Sequence, residues 1–345
     1  MEFIVCKPDG VEVCILKEHS YIDIDCGRKN DFEIRIKQKT YKEIGISYGW
    51  MIGVPETEYG GVINKIKSNT GDSYVTLSGD TWRGMLNKKI IEPPVGKDYL
   101  VVSGDANSIV NNLTCSEFDG LFVCDKNSGI VFENFQFDRY VTHLEGLEKM
   151  LLSKNARLEI KYNSGKPNDV SYVTLEAVPI QDFSDNIEYS SDGTLSFLSF
   201  IFEDFKGGIN HLICLGKGEL KDRLVIHLYE QEDGSIGTTK HYTGKEERTA
   251  VYDYSNSADE EELMEKGSER LKKLMSYKKM DMDLYNKTLA GLKGFNNDVS
   301  IGDIVGGKDF DTGIYLKKQI TEKIITVKNN KETIEYKVGG NASSV

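Results

Sequence analysis

Between Gly60 and Pro94 the chain reads GGVINKIKSNTGDSYVTLSGDTWRGMLNKKIIEPP, and this segment restricts the fold more than any other. Apolar and polar residues alternate over 62–66 and again over 74–77, the period of a strand with one buried face. Thr70-Gly71-Asp72 between them is a turn signal. Asp80 stands where it can cap a short helix over 81–88, and Lys88 and Lys89 fall at that helix's C-terminal end. Pro93 and Pro94 forbid its continuation, because proline has no backbone N–H and its ring clashes with the preceding turn. The segment predicts two strands, a short helix and a hard stop, and it carries no catalytic constellation.

The same alternation recurs over 11–16, 21–25 and 32–36, with turn signals between, so residues 1–98 predict an N-terminal β domain of barrel or sandwich type. Residues 99–181 are mixed. Asp105 can cap a helix through Leu113, 129–135 reads as a strand, and Leu144, Leu147 and Leu151 recur at helical spacing. Two strands, 157–162 and 172–177, complete a small α+β domain. The polar stretch 182–194 reads as a linker. Strands resume at 195–202, 212–215, 224–229, 238–242 and 249–254, with a hairpin signal at Glu232-Asp233-Gly234.

Ser257 with Glu260 forms a capping-box pattern, and an acidic first turn and basic last turns suit a helix over 257–278. Leu263, Met264, Leu271, Leu274 and Met275 form its one apolar stripe, the face it turns to a core. The strand 299–305 runs into Gly306-Gly307, and 320–327 and 332–338 alternate around Lys328-Asn329-Asn330-Lys331. The small, polar tail 339–345 is expected to fray. Residues 182–345 thus predict a second β domain that includes the helix. The fold class is mainly β with an α+β insertion and one long helix.

A chain of 345 residues can bury several cores. Its net charge of -12 opposes any general affinity for nucleic-acid phosphates, and no specific nucleic-acid binding is expected. The six cysteines form no CxxC pair, and several sit in apolar runs, as buried thiols in a reducing compartment do. The first ten residues carry no basic leader and no apolar run is long enough to span a bilayer, so synthesis in a cytoplasm without a membrane anchor is expected.

The chemistry-bearing residues do not converge. Five histidines include no HExxH and no metal-ligand spacing, and His227 within LVIHLY reads as a packed or face histidine. His211 and Cys214 fall on opposite faces of one strand. Gly216-Lys217-Gly218 is too short for a phosphate loop, and Gly207-Gly208 and Gly306-Gly307 read as turns or bulges. Carboxylate pairs such as Asp23 with Asp25 are what an acidic chain contains by chance. Trp82 is expected to pack against the sheet, and Arg83 to be a solvated surface charge. No catalytic residue, metal or cofactor is expected.

GGVINKI at 60–66, LSGDTWRGMLNKKIIEPP at 77–94 and the C-terminal IGDIVGG…YKVGG at 301–340 resemble the tail-hub family of phages and prophages of Gram-positive bacteria, which includes PBSX-like prophages and phage-tail-like bacteriocins. The resemblance implies two tube-like β-barrel domains per chain, so that three chains form a pseudo-six-fold ring. Such a homotrimer would join the tail tube protein to a three-fold spike or needle protein, beside the tape-measure and other baseplate proteins of a virion or tail-like particle. The chain ends soon after the matched region, so an appended peptidase, lysozyme-like domain or fibre is not expected. The family supplies no catalytic residues. The residues it marks are structural: Gly60, Gly61, Trp82, Arg83, Pro93, Pro94, Gly306 and Gly307. The rival readings are a tail-associated peptidoglycan hydrolase or protease, and a receptor- or carbohydrate-binding module suggested by β-richness and 18 tyrosines.

Overall fold

The alternation read over 21–25, 32–36 and 74–77 is realised as three adjacent antiparallel strands, Tyr21–Cys26, Asp31–Lys37 and Tyr74–Thr81. Ile22, Ile24, Phe32, Ile34, Ile36, Val75 and Leu77 all point to one face and are buried there. Side chains alternate across a strand, so this register sends Asp23, Glu33 and Arg35 to the other face. The computed structural model describes residues 1–124, 126–165, 170–184, 188–190, 197–285, 299–309, 311–313, 315–328 and 331–338. The expectations for Asn329-Asn330 and for the tail 339–345 fall outside the described residues.

The chain divides into two compact units, residues 1–200 with 281–340, and residues 201–280. In the first unit one sheet runs from Glu12–Leu16 through Phe3–Cys6, Met51–Gly53, Gly60–Ser68, Tyr74–Thr81, Asp31–Lys37 and Tyr21–Cys26 to Tyr315–Lys328 and Lys331–Val338. Strand Tyr21–Cys26 therefore pairs antiparallel with Tyr315–Lys328 over almost the whole length of the sequence. Backbone pairing thus unites segments on either side of the boundaries read at 98 and 181. The α+β part is a smaller sheet, Phe122–Val123, Tyr172–Pro179 and Ala156–Asn163, packed by helices Ala106–Thr114 and His143–Leu152. Asp105 caps the first of these through Asn107 N, as its position predicts, and Leu144, Leu147 and Leu151 face the core of the second.

The second unit has its own core. Its sheet runs Ile236–Gly237, Val225–Glu230, His211–Leu215, Thr249–Asp253, with the last pair parallel. Helix Glu260–Lys272 covers one face and buries Leu263 and Leu271 with Leu212, Cys214, Ile226 and Leu228. Gly267 lets the helix lie close, because a Cβ there would stand 2.5 Å from Cys214 Sγ.

Several elements differ from the sequence reading. The short helix is Trp82–Leu86, capped by Thr81 rather than Asp80: Thr81 Oγ1 accepts from Gly84 N, while Asp80 is still in the strand. The long helix ends at Lys272, not 278, because Tyr277–Tyr285 is a strand that pairs with Lys331–Val338. Its N-cap is Asp259, and Ser257 Oγ donates instead to Glu262 Oε2 at 2.6 Å. Within the expected linker 182–194, Glu188–Ser190 is a strand parallel to Ile304–Lys308. Residues 238–242 form no strand. Strands Phe3–Cys6 and Met51–Gly53 and helix Gln38–Ile44 carry signals too short for periodicity to detect.

Gly61 is built against backbone: a Cβ there would lie 2.0 Å from Asp80 O and 2.9 Å from the Phe32 ring. Gly61→Ala is expected to cost about 3 kcal/mol in denaturant unfolding. Gly71→Ala, at a turn glycine with φ +87° and open space, is expected to cost about 1 kcal/mol.

Candidate functional site

The residues marked at 60–61 and 82–83 meet at a junction of the first unit, where the large sheet touches the α+β part. Gly53 and Gly60 are cross-strand partners. Together they leave a flat backbone surface: a Cβ on Gly53 would meet the Tyr162 ring at 2.5 Å, and one on Gly60 the Trp82 ring at 3.0 Å. Trp82 and Tyr162 lie parallel over this surface with centroids 5.8 Å apart, both fully buried. Tyr162 OH donates to Ser171 Oγ at 2.9 Å, and Ser171 Oγ donates to Glu12 Oε1 at 2.9 Å. Trp82 is thus a packing residue, as its sequence context predicts.

Arg83 is not a solvated surface charge. It is 3% exposed, and its guanidinium donates from Nε to Glu58 Oε2 at 3.0 Å, from Nη1 to Glu148 Oε1 at 3.1 Å and from Nη2 to Leu158 O at 3.2 Å. The short helix aims the side chain inward, so one guanidinium joins four separate chain segments. Burial opposes its charge, but Glu58 and Glu148 outweigh that and raise its pKa.

Two further buried ions lie at neighbouring junctions. Arg157 Nε donates to Asp303 Oδ1 at 2.7 Å, and Asp303, with no exposed surface, also accepts from Gln181 N at 3.0 Å and Ser300 N at 2.9 Å. Lys323 is buried with its ammonium 4.9 Å from the Tyr59 ring centre and 5.4 Å from that of Tyr336. Burial lowers its pKa, partly opposed by Glu58.

The remaining marked residues lie elsewhere. Pro93 is half-buried and Pro94 exposed; they follow strand Ile90–Ile91 rather than the helix, which has already ended. Gly306 and Gly307 form neither a turn nor a bulge. They sit inside strand Ile304–Lys308, paired with Tyr315–Lys328 on one side and Glu188–Ser190 on the other. A Cβ on Gly306 would lie 2.4 Å from Tyr315 Oη.

In the second unit the sequence reading misses a polar chain that links two strands to the loop before a third. His211 Nδ1 lies 2.8 Å from Glu247 Oε1, and His211 Nε2 lies 2.8 Å from His227 Nδ1. Tyr229 stacks on His211 at 4.3 Å, and Lys240 Nζ donates to Glu247 Oε2 at 2.7 Å. His227 is thus a satisfied face histidine, and Cys214 lies in the core on the opposite side of the sheet from His211. Burial pushes the Cys214 thiol to about 11, which removes its nucleophilic form at neutral pH. Among the described residues, no group of three or more His, Cys, Asp or Glu side chains is placed to hold a metal ion.

At this junction Arg83, Glu58, Glu148 and Leu158 tie segments distant in sequence to one another. Arg83→Met would leave the half-buried Glu58 without its guanidinium partner, and is expected to cost roughly 3–5 kcal/mol in equilibrium unfolding. Adding Glu58→Gln should recover part of that loss, giving a non-additive double-mutant cycle.

Comparison with solved structures gives full-length fold matches. A tail protein from Neisseria meningitidis MC58 is 12% identical with a TM-score of 0.52, covering 99% of this chain and 97% of that one. The 43 kDa tail protein of prophage MuSo2 from Shewanella oneidensis is 11% identical with a TM-score of 0.56, covering 98% of each. Prophage tail protein gp18 from Listeria monocytogenes EGD-e is 13% identical with a TM-score of 0.50, covering 100% of this chain and 96% of that one. No family model matches the chain, and no curated protein sequence does. The likeness is one of fold: a mainly β, α+β architecture shared with phage tail proteins.

Proposed function

We propose that this chain is a structural hub of a phage tail or tail-like particle, a non-enzymatic component of the baseplate. The observation that carries the reading is fold likeness along essentially the whole chain to tail proteins from three bacteria, with no large part of either partner left over. In this reading the β-rich segments 1–98 and 182–345 act as two tube-like modules and 99–181 as the outer α+β domain. Three copies close head to tail into a ring with pseudo-six-fold symmetry. That ring meets the tail tube protein above, a spike or needle protein below, and the tape-measure and other baseplate proteins around it.

Two features of the chain support assembly. The N-terminal and C-terminal strands share one sheet, so two β-rich segments present a joined surface. Among the described residues the sheet ends on Glu12–Leu16, which pairs with Phe3–Cys6 and shows Val13 and Ile15 at 40% and 54% exposure, next to Val11 at 45%. Natural proteins cover or charge such an apolar edge, and a neighbouring subunit would cover this one. The purified protein is expected to have a native mass three times the 38.8 kDa protomer, with a central opening in electron micrographs. Ile15→Lys is expected to shift it toward monomer. A wild-type monomer at all micromolar concentrations and salt strengths, or clearing of cell-wall material in a zymogram, would defeat the reading.

A further inference from the structure

We propose that the pairing of Tyr21–Cys26 with Tyr315–Lys328 is latched by a single proton shared between the carboxyl groups of Asp25 and Glu322, and that losing this proton loosens the seam. The register sets Ile324 opposite Asp25 and Lys323 opposite Cys26, which places Glu322 on the same sheet face as Asp25, one diagonal step away. Both residues are only 4% exposed. Their burial follows from a close approach of the chains. A register shift falls between Ile320 and Glu322, and the turn after Cys26 presses on it so tightly that a Cβ on Gly27 would lie 2.2 Å from Thr321 O.

The two carboxyl groups thus share one face of the sheet with almost no solvent contact, where both cannot ionise without close like-charge repulsion. Ionised carboxylates only accept, so a hydrogen bond between them requires that one carries a proton. The surrounding charges do not remove that need. Lys337 Nζ, on the adjacent strand, is 3.7 Å from Glu322 Oε2 but also 3.8 Å from Glu335 Oε1. Arg28 in the turn draws Glu322 toward ionisation, and Lys29 N donates to Asp25 Oδ1 at 3.1 Å. Asp23 on the same strand and Asp31 on the next add negative charge near Asp25. Lys323 projects to the opposite, core face, where Glu58, Tyr59 and Tyr336 surround it.

Burial first, then the bond and charge of Asp25, raise Glu322 from 4.5 to about 7. A group whose pKa is higher in the folded state stabilises it fully below its unfolded pKa, and that stabilisation is lost as pH rises through the folded one. The seam is therefore tight in mild acid and weakened across neutrality. The latch lies within one chain, so it stands or falls apart from the hub reading.

Equilibrium unfolding of the full chain tests it, comparing wild type with Glu322→Gln and Asp25→Asn from pH 5 to pH 8.5. Each amide supplies a permanent N–H donor to the remaining carboxylate. The wild-type unfolding constant is expected to rise at least tenfold relative to either variant between pH 5 and 8, because one proton changes it by about tenfold per pH unit across the window. Amide exchange, corrected for intrinsic rate, should quicken with pH in Tyr21–Cys26 and Tyr315–Lys328 while Ala156–Asn163 holds. Parallel pH profiles for wild type and whichever variant folds would overturn the proposal. Exchange that quickens equally in all three segments would overturn it too.

Discussion

Antiparallel pairing of residues 21–26 with residues 323–328 is the constraint on which the first unit depends. Without it, the C-terminal strands would form a separate sheet and the N-terminal strands would end on a bare edge. Closing a loop of roughly 300 residues is opposed by chain entropy, though that cost grows only with the logarithm of length. Burial on the core face opposes it: Ile22 and Ile24 meet Ile325 and Val327, all essentially without solvent contact. The ladder also satisfies backbone groups that would otherwise template association with other chains.

Ionic groups surround this apolar seam at its corners. Arg83 with Glu58 and Glu148, Arg157 with Asp303, and Lys323 between two tyrosines each sit where segments distant in sequence converge. Such pairs add little net stability over apolar packing, since desolvation offsets most of the Coulombic gain. A guanidinium buried without its partners is nonetheless costly. Each ion therefore disfavours any arrangement that separates the segments it joins, and packing of the Trp82–Tyr162 pair on Gly53 and Gly60 adds a shape requirement to the charge requirement.

Local signals were readable in the sequence, and contacts over long separations were not. Alternation located Asp31–Lys37 and Tyr74–Thr81, and leucine spacing with Asp105 located the two helices of the α+β part, because those signals live within ten residues. The end of the long helix was misread because Met275 extends the apolar stripe while Tyr277–Tyr285 gains a partner some fifty residues later. Arg83 looked like a surface charge because nothing near it in sequence announces Glu58 or Glu148. Gly306 and Gly307 looked like punctuation, whereas they admit Tyr315 and a parallel neighbour. The His211–His227–Glu247 chain depends on cross-strand register, which composition does not encode.

In sequence, residues 201–280 of the second unit interrupt the first, which orders their synthesis. Residues 201–280 are contiguous in sequence and have a core of their own, complete once that stretch has been made. Residues 1–200 wait longer, because their sheet stays open until strand Tyr315–Lys328 has been made. During that interval the edge of Tyr21–Cys26 that Tyr315–Lys328 will cover is without that partner. Completion of this sheet therefore waits on the last residues of the chain to be synthesised.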